Sequence, residues 1–557
     1  MFIINALINF KLFLDFNIKK THKKKFFLYL FTALTRYSLF SGKKQMENQI
    51  PFKNVVKEAF NFHGPSIVIG APKLNNEVVS DTFVSIPLKT LNRHGLIAGA
   101  TGTGKTKTLQ MLIEQLSQNG VPSLVMDIKG DLSGVAVPGS TNEKIEERHR
   151  MIGIDYTPAA NPVEFLSLSE EKGLRLRATI SEFGPVLLSK ILELNDTQGG
   201  VVSLIFKYCD DNQLPLLDLK DFKKVLNFIT NEGKDEITSL YGAISLASVG
   251  TILRKVVELE QQGATLFFGE KSFDVEHLCR LNEDGKGYIS VLRLTDIPDR
   301  PKLFSTFMLQ LLAEIYEKFP EEGDLDQPKL AIFIDEAHLI FKESSKNLLS
   351  QIESIVKLIR SKGVGIFFVT QNPMDIPASV LSQLGLKIQH ALRAFTAKDR
   401  KDIKLTAENY PISSFYKVDQ LLTELGIGET LVSALNEKGV PTPLVHVYLR
   451  APQSRMDVLS ETEIDQIVAS SKIKKLYDEV IDRESAYEML MAKIGSSSGE
   501  VKLDSPSEKS SPREKSTIEQ ILDNPAARQI GRTVFRELTR GLMGILVSGL
   551  GSPKSRK

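Results

Sequence analysis

Short apolar runs separate stretches of helical periodicity along the middle of this 557-residue chain. Residues 94–98, 330–334 and 365–369 are almost entirely apolar, as is typical of parallel strands buried on both faces of a sheet. After the first run, apolar residues recur at the spacing of an amphipathic helix, at Leu109, Leu112, Ile113 and Leu116. This alternation predicts an α/β fold with a mainly parallel central sheet.

The same pattern predicts strands elsewhere in the chain. Residues 122–127, 287–294 and 386–392 combine apolar character with strand length. Two later runs, 428–434 and 443–449, flank a short polar turn. This arrangement predicts a hairpin near the end of the sheet.

A mostly helical stretch interrupts these strands between about residues 155 and 285, and the insertion itself is placed at about 170–285. Its apolar residues keep helical spacing, as at Leu188, Ile191, Leu192, Val201, Leu204, Ile205, Ile252, Val256 and Leu259. Core packing is the simplest interpretation of these stripes. A contact with a ligand or with DNA is the alternative.

A glycine-rich loop follows the first apolar run. Residues 99–106 read Gly-Ala-Thr-Gly-Thr-Gly-Lys-Thr, and they lie between a predicted strand and a predicted helix, as a phosphate-binding loop requires. Lys105 is expected to contact the β and γ phosphates of a nucleotide, and the Thr106 hydroxyl is expected to bind Mg²⁺. A structural glycine turn is the alternative. The predicted nucleotide-binding residues are Gly99, Ala100, Thr101, Gly102, Thr103, Gly104, Lys105, Thr106 and Lys107.

A pair of carboxylates ends the second apolar run. Asp335 and Glu336 directly follow residues 330–334. We predict that Asp335 joins Thr106 in holding Mg²⁺, and that Glu336 polarises the attacking water. A strand-ending turn with a helix cap is the alternative, because Asp favours such positions. Together with the glycine-rich loop, the pair predicts hydrolysis of ATP with Mg²⁺ as cofactor.

Further polar residues follow predicted strands. Gln371 is the candidate sensor of the γ phosphate, although it could instead order the loop before Pro373. Arg393 and, as second choice, Arg360 are the candidate arginine fingers across a subunit boundary, although a surface or salt-bridging role is the favoured interpretation of each. Asp127 is interpreted mainly as a capping or loop-ordering carboxylate, with an auxiliary catalytic or nucleic-acid-coupling role as the alternative.

The composition agrees with a soluble, cytoplasmic protein that has a large core: 42% of residues are hydrophobic and 25% are charged. Cys209 and Cys279 are the two cysteines, which argues against a disulfide framework. The formal net charge is +2. Residues 1–45 carry nine Lys or Arg and one acid, so the remainder is about −6 and any DNA contact must be local.

Both ends of the chain depart from the composition of the middle. Residues 1–45 are predicted to be an over-extended N-terminus before Met46; a targeting peptide and a membrane anchor are the alternatives. Residues 495–516 are polar and predict a flexible linker. Within residues 517–557, apolar and arginine positions each recur every four residues, which predicts a basic amphipathic helix that binds a protein partner, nucleic acid or a membrane surface, or docks on the parent protein.

Several of these segments together resemble the HerA and FtsK group of RecA-like motor ATPases, and most closely the bacterial HerA-like subfamily typified by YjgR. The resemblance is carried by residues 92–106, 127–131, 333–339, 369–373, 391–395 and 481–487. It implies a RecA-like P-loop NTPase core, Mg²⁺-dependent ATP hydrolysis, hexameric rings and translocation on DNA.

The predicted organisation combines this resemblance with the composition changes. Its parts are N-terminal lead-in strands (46–90), a HerA-like RecA-type ATPase domain with the helical insertion (91–453), a C-terminal helical extension (454–494), the linker and the basic helix. The expected function is ATP hydrolysis coupled to movement on DNA or to its remodelling. An ATP-controlled scaffold without motor activity is one alternative, and a membrane-associated DNA pump is another.

Overall fold

A computed structural model describes residues 51–296, 299–323, 325–343, 346–479, 481 and 483–497. The predictions for residues 1–45, for the linker beyond residue 497 and for the basic helix at 517–557 lie outside these ranges. The architecture reported below is that of the described residues alone.

The strands of the described residues form one sheet of thirteen strands. They are β1 (Ser66–Leu74), β2 (Glu77–Val78), β3 (Val84–Pro87), β4 (Gly95–Ala98), β5 (Ser123–Asp127), β6 (Val163–Ser167), β7 (Leu174–Arg175), β8 (Ile289–Arg293), β9 (Leu330–Ile334), β10 (Val364–Thr370), β11 (Leu386–Gln389), β12 (Glu429–Ser433) and β13 (Val445–Leu449). Their order is β2-β1-β13-β12-β11-β4-β10-β9-β5-β8-β6-β7, and β3 also pairs with β1. The strands from β11 to β7 are parallel, whereas β12, β13 and β1 continue the sheet antiparallel. The predicted α/β fold with a mainly parallel sheet is confirmed.

Helices connect these strands and cover the sheet. They are α1 (residues 51–59), α2 (Lys105–Gln118), α3 (Glu143–Ile152), α4 (Ile180–Ile191), α5 (Asp196–Asn212), α6 (Leu219–Thr230), α7 (Lys234–Tyr241), α8 (Leu246–Gln261), α9 (Pro301–Lys318), α10 (His338–Glu343), α11 (Lys346–Ile359), α12 (Ala378–Leu381), α13 (Ala397–Glu408), α14 (Val418–Glu424), α15 (Glu461–Ser470), α16 (Lys474–Tyr477) and α17 (Ala486–Ser497). Taken singly, no helix among the described residues has the length and apolar composition needed to cross a membrane; α7 and α8 meet those criteria only as a joined pair bent by 109°.

The central strands are apolar because both of their faces are covered. Along β4, Leu96 and Ala98 belong to the hydrophobic cluster on one face, and Ile97 belongs to the cluster on the other. All three are at most 1% exposed. Successive strand side chains point to opposite faces, so a strand between two helical layers needs apolar residues at every position.

The helical insertion consists of α4 to α8 and packs on one of these faces. Three of its helices begin with a reciprocal capping box, at Thr179, Asn195 and Asp218, which satisfies backbone amides that a helix leaves unpaired. One expectation is corrected here, because β6 lies within the stretch from about 155 that the sequence predicts to be mostly helical. β6 pairs in parallel with β8, so the helical insertion begins only after the two short strands β6 and β7.

Two boundaries differ from the sequence prediction. The segment predicted as lead-in strands begins with helix α1, where Phe52 is 1% exposed and packs its ring 5.0 Å from that of Phe415. At the other end, α17 continues to Ser497, so the polar segment predicted from residue 495 starts within a helix. Periodicity alone does not detect either boundary, because α1 is short and a glycine and serines end α17.

Candidate active site

The glycine-rich loop leaves the central strand β4 and enters α2. Its first residues are tied to the neighbouring strand ends: Gly99 donates its amide to the Thr370 carbonyl at 3.2 Å, and Ala100 donates to the Ala391 carbonyl at 2.8 Å. These two amides therefore shape the loop. The donors left for phosphates come from later loop residues and from the start of α2, where a helix leaves its first amides without intrahelical partners.

Glycine is required at two points of this loop. Gly104 has φ 109° immediately before α2, a conformation that L-residues rarely adopt. Gly99 has φ 154°, and a Cβ there would collide with the Cβ of His390. The loop thus depends on glycine both for its turn and for close packing against the end of β11.

His390 packs against the glycine-rich loop and the first turn of α2. The sequence did not predict this contact. Its Nδ1 lies 3.0 Å from the Thr103 carbonyl and its Nε2 lies 2.9 Å from the Thr108 hydroxyl. Burial lowers the pKa of His390 to about 3, so the ring is neutral, with the proton on Nδ1 facing the carbonyl. Only its place near the end of a predicted strand, residues 386–392, offered a signal in the sequence.

Lys105 is buried within the loop. Its ammonium donates to the Gly99 carbonyl at 2.7 Å and to the Ala100 carbonyl at 3.2 Å. Burial lowers the pKa of Lys105, and the neighbouring Lys129 lowers it further. The ammonium is therefore placed at the loop, where a triphosphate would replace carbonyl contacts with stronger, charged ones.

The acidic strand ends beside this loop because β9 and β4 both neighbour β10. Asp335 is 3% exposed and Glu336 is 6% exposed. Glu336 has φ 45°, a conformation uncommon for a residue with a side chain and often found at functional sites. Burial raises the pKa of Asp335 to about 6. The structure thus brings Asp335, Glu336 and the glycine-rich loop to one edge of the sheet.

Gln371 bridges the two motifs. Its Nε2 lies 3.4 and 3.5 Å from the two carboxylate oxygens of Glu336, and its Oε1 lies 3.5 Å from the Thr101 hydroxyl. It follows β10, which lies between β4 and β9 in the sheet. The predicted sensor therefore touches both the glycine-rich loop and the predicted general base.

Two further side chains contact the acidic pair, and the sequence analysis did not assign either of them there. The Lys129 ammonium lies 2.5 Å from Glu336 Oε1 and 3.7 Å from Asp335 Oδ2. His338 Nδ1 lies 3.1 Å from Glu336 Oε2. Burial acts to raise the pKa of Glu336, but the Lys129 hydrogen bond and the nearby charges hold it below its usual value.

Asp127 orders the loop that carries Lys129. Its carboxylate accepts hydrogen bonds from the amides of Gly130 at 2.8 Å and Leu132 at 3.1 Å. The side chain is buried, and burial raises the pKa of Asp127 to about 7. These contacts favour the loop-ordering interpretation over an auxiliary catalytic role.

The two candidate arginine fingers lie at different edges of the sheet. Arg393 is exposed and lines a cavity of about 540 Å³ together with Ala100, Thr101 and Gln371. Its Nη1 donates to the Thr423 carbonyl at 3.2 Å. Arg360 precedes β10 and so lies roughly 20 Å from the strand end that carries Gln371. Arg360 is therefore remote from the nucleotide site predicted on its own chain.

A family model described as helicase HerA-like C-terminal matches residues 73–551. That match covers well over half of the sequence. The chain belongs to this HerA-like family. Membership confirms the resemblance to the HerA group that the sequence motifs suggest. The narrower YjgR subfamily remains a prediction.

Individual relatives are distant. The DNA double-strand break repair helicase HerA of Sulfolobus acidocaldarius is 23% identical over 344 residues, which cover 61% of this chain and 63% of that protein. A probable helicase of Methanocaldococcus jannaschii is 26% identical over 405 residues, covering 67% and 68%. Among solved structures, plasmid coupling protein TrwB with a non-hydrolysable ATP analogue gives a TM-score of 0.47 at 13% identity, covering 73% and 94%. The chain thus spans less than two thirds of the length of HerA itself.

Lys107 of this HerA-like chain faces the C-terminal extension. Its ammonium donates to the Met456 carbonyl, and one turn later Gln110 donates to the Ser454 hydroxyl at 2.7 Å. Burial lowers the pKa of Lys107. The Lys107 side chain therefore fastens the extension to α2. A nucleotide contact by Lys107 remains a prediction, and it would have to come from its backbone amide.

The residues of the HerA-like site suit Mg²⁺ and a triphosphate. Asp335 offers a buried carboxylate, and Oδ1 of nearby Asp131 is buried without a hydrogen-bond partner among the described residues. Oxygen ligands of this kind are those that Mg²⁺ prefers. Thr106, in the first turn of α2, supplies the hydroxyl expected beside them.

Proposed function

We propose that this protein hydrolyses Mg²⁺-ATP at the site described and uses the energy to move on DNA or to remodel it. The observation that carries the proposal is the bridge formed by Gln371 between Thr101 and Glu336. It connects the loop that would hold the γ phosphate with the carboxylate that would orient water. Family membership and relatives named as helicases support the same conclusion.

Binding of the nucleotide would use the loop and the start of α2. Backbone amides of Gly102 and Gly104 and of the first residues of α2 donate to phosphate oxygens. Lys105 exchanges its contacts with the Gly99 and Ala100 carbonyls for the β and γ phosphates. Mg²⁺, when bound, neutralises phosphate charge, and Thr106 and Asp335 are the residues that would hold it.

Hydrolysis would depend on Glu336. Its carboxylate accepts a hydrogen bond from the attacking water, and Gln371 keeps that carboxylate turned toward the loop. Because Gln371 also contacts Thr101, a change at the γ phosphate reaches Glu336 through a single side chain. These contacts support the proposal that Gln371 acts as the sensor.

Coupling to DNA would begin at the same strand end. Asn372 follows Gln371 and its amide lies 3.5 Å from Asp402 Oδ2 in α13. A shift of the sensor thus passes directly to a surface helix. In a hexameric ring, Arg393 or Arg360 would contribute to a neighbouring site.

ATP turnover measured with single-stranded DNA, duplex DNA, RNA and no polymer tests this function. We expect turnover that requires Mg²⁺, rises with DNA, and disappears in Lys105→Ala. DNA stimulation is the decisive result, since slow turnover indifferent to every polymer would favour the ATP-controlled scaffold. Undiminished turnover in Lys105→Ala would refute the assigned site itself.

A further inference from the structure

Lys129 brings an ammonium to the two carboxylates that the proposed function assigns to Mg²⁺ and water. Its Nζ lies 2.5 Å from Glu336 Oε1 and 3.7 Å from Asp335 Oδ2. The side chains of Asp335 and Glu336 are 4% and 8% exposed, whereas that of Lys129 is 38% exposed. A partly exposed cation thus covers a nearly buried acidic pair.

The fold delivers Lys129 to this place. β5 pairs in parallel with β9, and the amide of Asp335 donates to the Met126 carbonyl at 3.4 Å. The loop after β5 therefore starts beside the acidic pair. Gly130 turns this loop with φ 73°, and the two amide hydrogen bonds to Asp127 hold the turn closed. The loop that carries Lys129 is held by these contacts, while the Lys129 side chain is 38% exposed.

The direct ion pairs to the acidic pair come from Lys129, whereas Lys105 interacts with these carboxylates without pairing directly with them. The Lys105 ammonium is taken up by the Gly99 and Ala100 carbonyls at 2.7 and 3.2 Å. Burial alone would lower the pKa of Lys129, but Asp335 and Glu336 raise it, so its ammonium is charged. The same carboxylate oxygens cannot bind this ammonium at full strength and also serve Mg²⁺ and an attacking water.

We propose that Lys129 is a positioning residue that closes the acidic pair in the nucleotide-free protein and is displaced from Glu336 when Mg²⁺ and nucleotide bind. This inference rests on the proposed function of the site. This contact, called the Lys129 latch below, would keep Glu336 from activating water before a nucleotide is in place. It would also hold Glu336 next to Gln371 until the nucleotide displaces Lys129.

Competition between Lys129 and Mg²⁺ can be measured by binding, without turnover. Mg²⁺ is titrated into the full chain with a fluorescent ADP analogue, and binding is followed by anisotropy. The variants are Lys129→Ala, Lys129→Met, which keeps an unbranched side chain for packing, and Lys129→Arg, which keeps the cation. Lys472→Ala is the matched control, because Lys472 pairs with Glu283 at 2.8 Å, outside the site.

Removing the Lys129 ammonium should increase the affinity of the site for Mg²⁺. A charge at this distance shifts the neighbouring equilibrium by about tenfold or more, so Lys129→Ala and Lys129→Met should reach half-maximal binding at about one tenth of the Mg²⁺ that the wild type needs. Lys129→Arg and Lys472→Ala should keep the wild-type requirement. A loss of packing alone would not lower the Mg²⁺ requirement in this way.

Two results would overturn the latch. One is a folded Lys129→Met protein whose Mg²⁺ requirement is unchanged or higher. The other is a variant that loses nucleotide affinity equally in Mg²⁺ and in EDTA, which would make Lys129 a phosphate ligand. If the wild type binds no Mg²⁺-nucleotide at all, the proposed function fails together with the latch. If the wild type binds Mg²⁺-nucleotide but the Lys129 variants keep its Mg²⁺ requirement, only the latch fails.

Discussion

At the scale of single residues, motif spacing predicts some residues of the site, whereas others are found only in the folded structure. The loop, Asp335 and Glu336 follow from local patterns because each is encoded in one short segment. Lys129 and His390 reach the site from separate parts of the chain, and nothing near them in the sequence indicates their partners. His338 lies only two residues after its partner Glu336. Gln371 lies between these cases: its strand end was predicted, but its contact with Thr101 was not.

Replacing Glu336 with Gln should separate binding from chemistry. The amide keeps the size of the side chain but cannot act as a base, so turnover should fall roughly 100-fold or more. Nucleotide affinity, measured by fluorescence anisotropy, should change little because the loop is intact. Gln383→Ala, at an exposed glutamine before β11, is the control. Wild-type turnover in Glu336→Gln would remove Glu336 from the mechanism.

His390 should make the protein sensitive to acid. Its folded pKa of about 3 lies below the usual value of 6.5, so the unfolded chain binds the extra proton more readily. Its contribution to stability is therefore complete above pH 6.5 and is lost as the pH falls toward 3, by about 1.4 kcal/mol per pH unit. Thermal unfolding between pH 5 and 8 measures this.

A matched variant identifies the His390 share of this slope. In His390→Gln, the decline of the melting temperature below pH 6.5 should be shallower than in the wild type. His94, whose pKa burial lowers to about 4, remains in that variant and supplies a residual slope. Identical slopes in both proteins would contradict the assignment of a neutral, buried His390.

At the scale of elements, the strands of the central sheet and the late hairpin were predictable, since apolar runs and turn signals are local. The short strands β6 and β7 were not, because Val163–Ser167 contains Glu164 and Ser167, which interrupt an apolar run. Glu164 is tolerated there because Arg280 pairs with it at 2.7 Å. The ion pair with Arg280, which is distant in sequence, thus stabilises strand β6 although the local sequence of β6 does not predict a strand.

Glu114 ties α2 to the C-terminal extension. Its carboxylate accepts the amides of Gln453 at 2.7 Å and Ser454 at 2.9 Å, as well as the Ser454 hydroxyl. Glu114→Ala would leave these donors buried without an acceptor and should lower the free energy of unfolding by about 2 to 3 kcal/mol.

Urea unfolding of the purified variants measures this change. Gln118→Ala is the control on the same helix, because Gln118 bonds the Gln453 side chain at the surface, where substitutions usually change stability by less than about 0.5 kcal/mol. Equal destabilisation by the two variants would show that the buried contacts with Glu114 do not hold the extension.

At the scale of the whole molecule, ligand binding should stabilise the fold, since the site is built from five neighbouring strand ends. Mg²⁺ with a non-hydrolysable ATP analogue at 100 times its Kd should add about 2.7 kcal/mol. In a chain of this size that corresponds to a rise in Tm of roughly a few degrees. Scanning calorimetry should show the rise in the wild type and none in Lys105→Ala. A rise of the same size in Lys105→Ala would place the nucleotide elsewhere.

The antiparallel end of the sheet has a consequence for how the molecule is made. β1 pairs with β13, and Gly70 lies opposite Leu449. At usual synthesis rates the ribosome needs roughly 20 to 75 seconds to travel between these two positions. During that interval β2 and β3 are available to pair with β1, but β13 is not. Nascent chains should therefore depend on chaperones that shield strand edges. Chains truncated before residue 445 should aggregate.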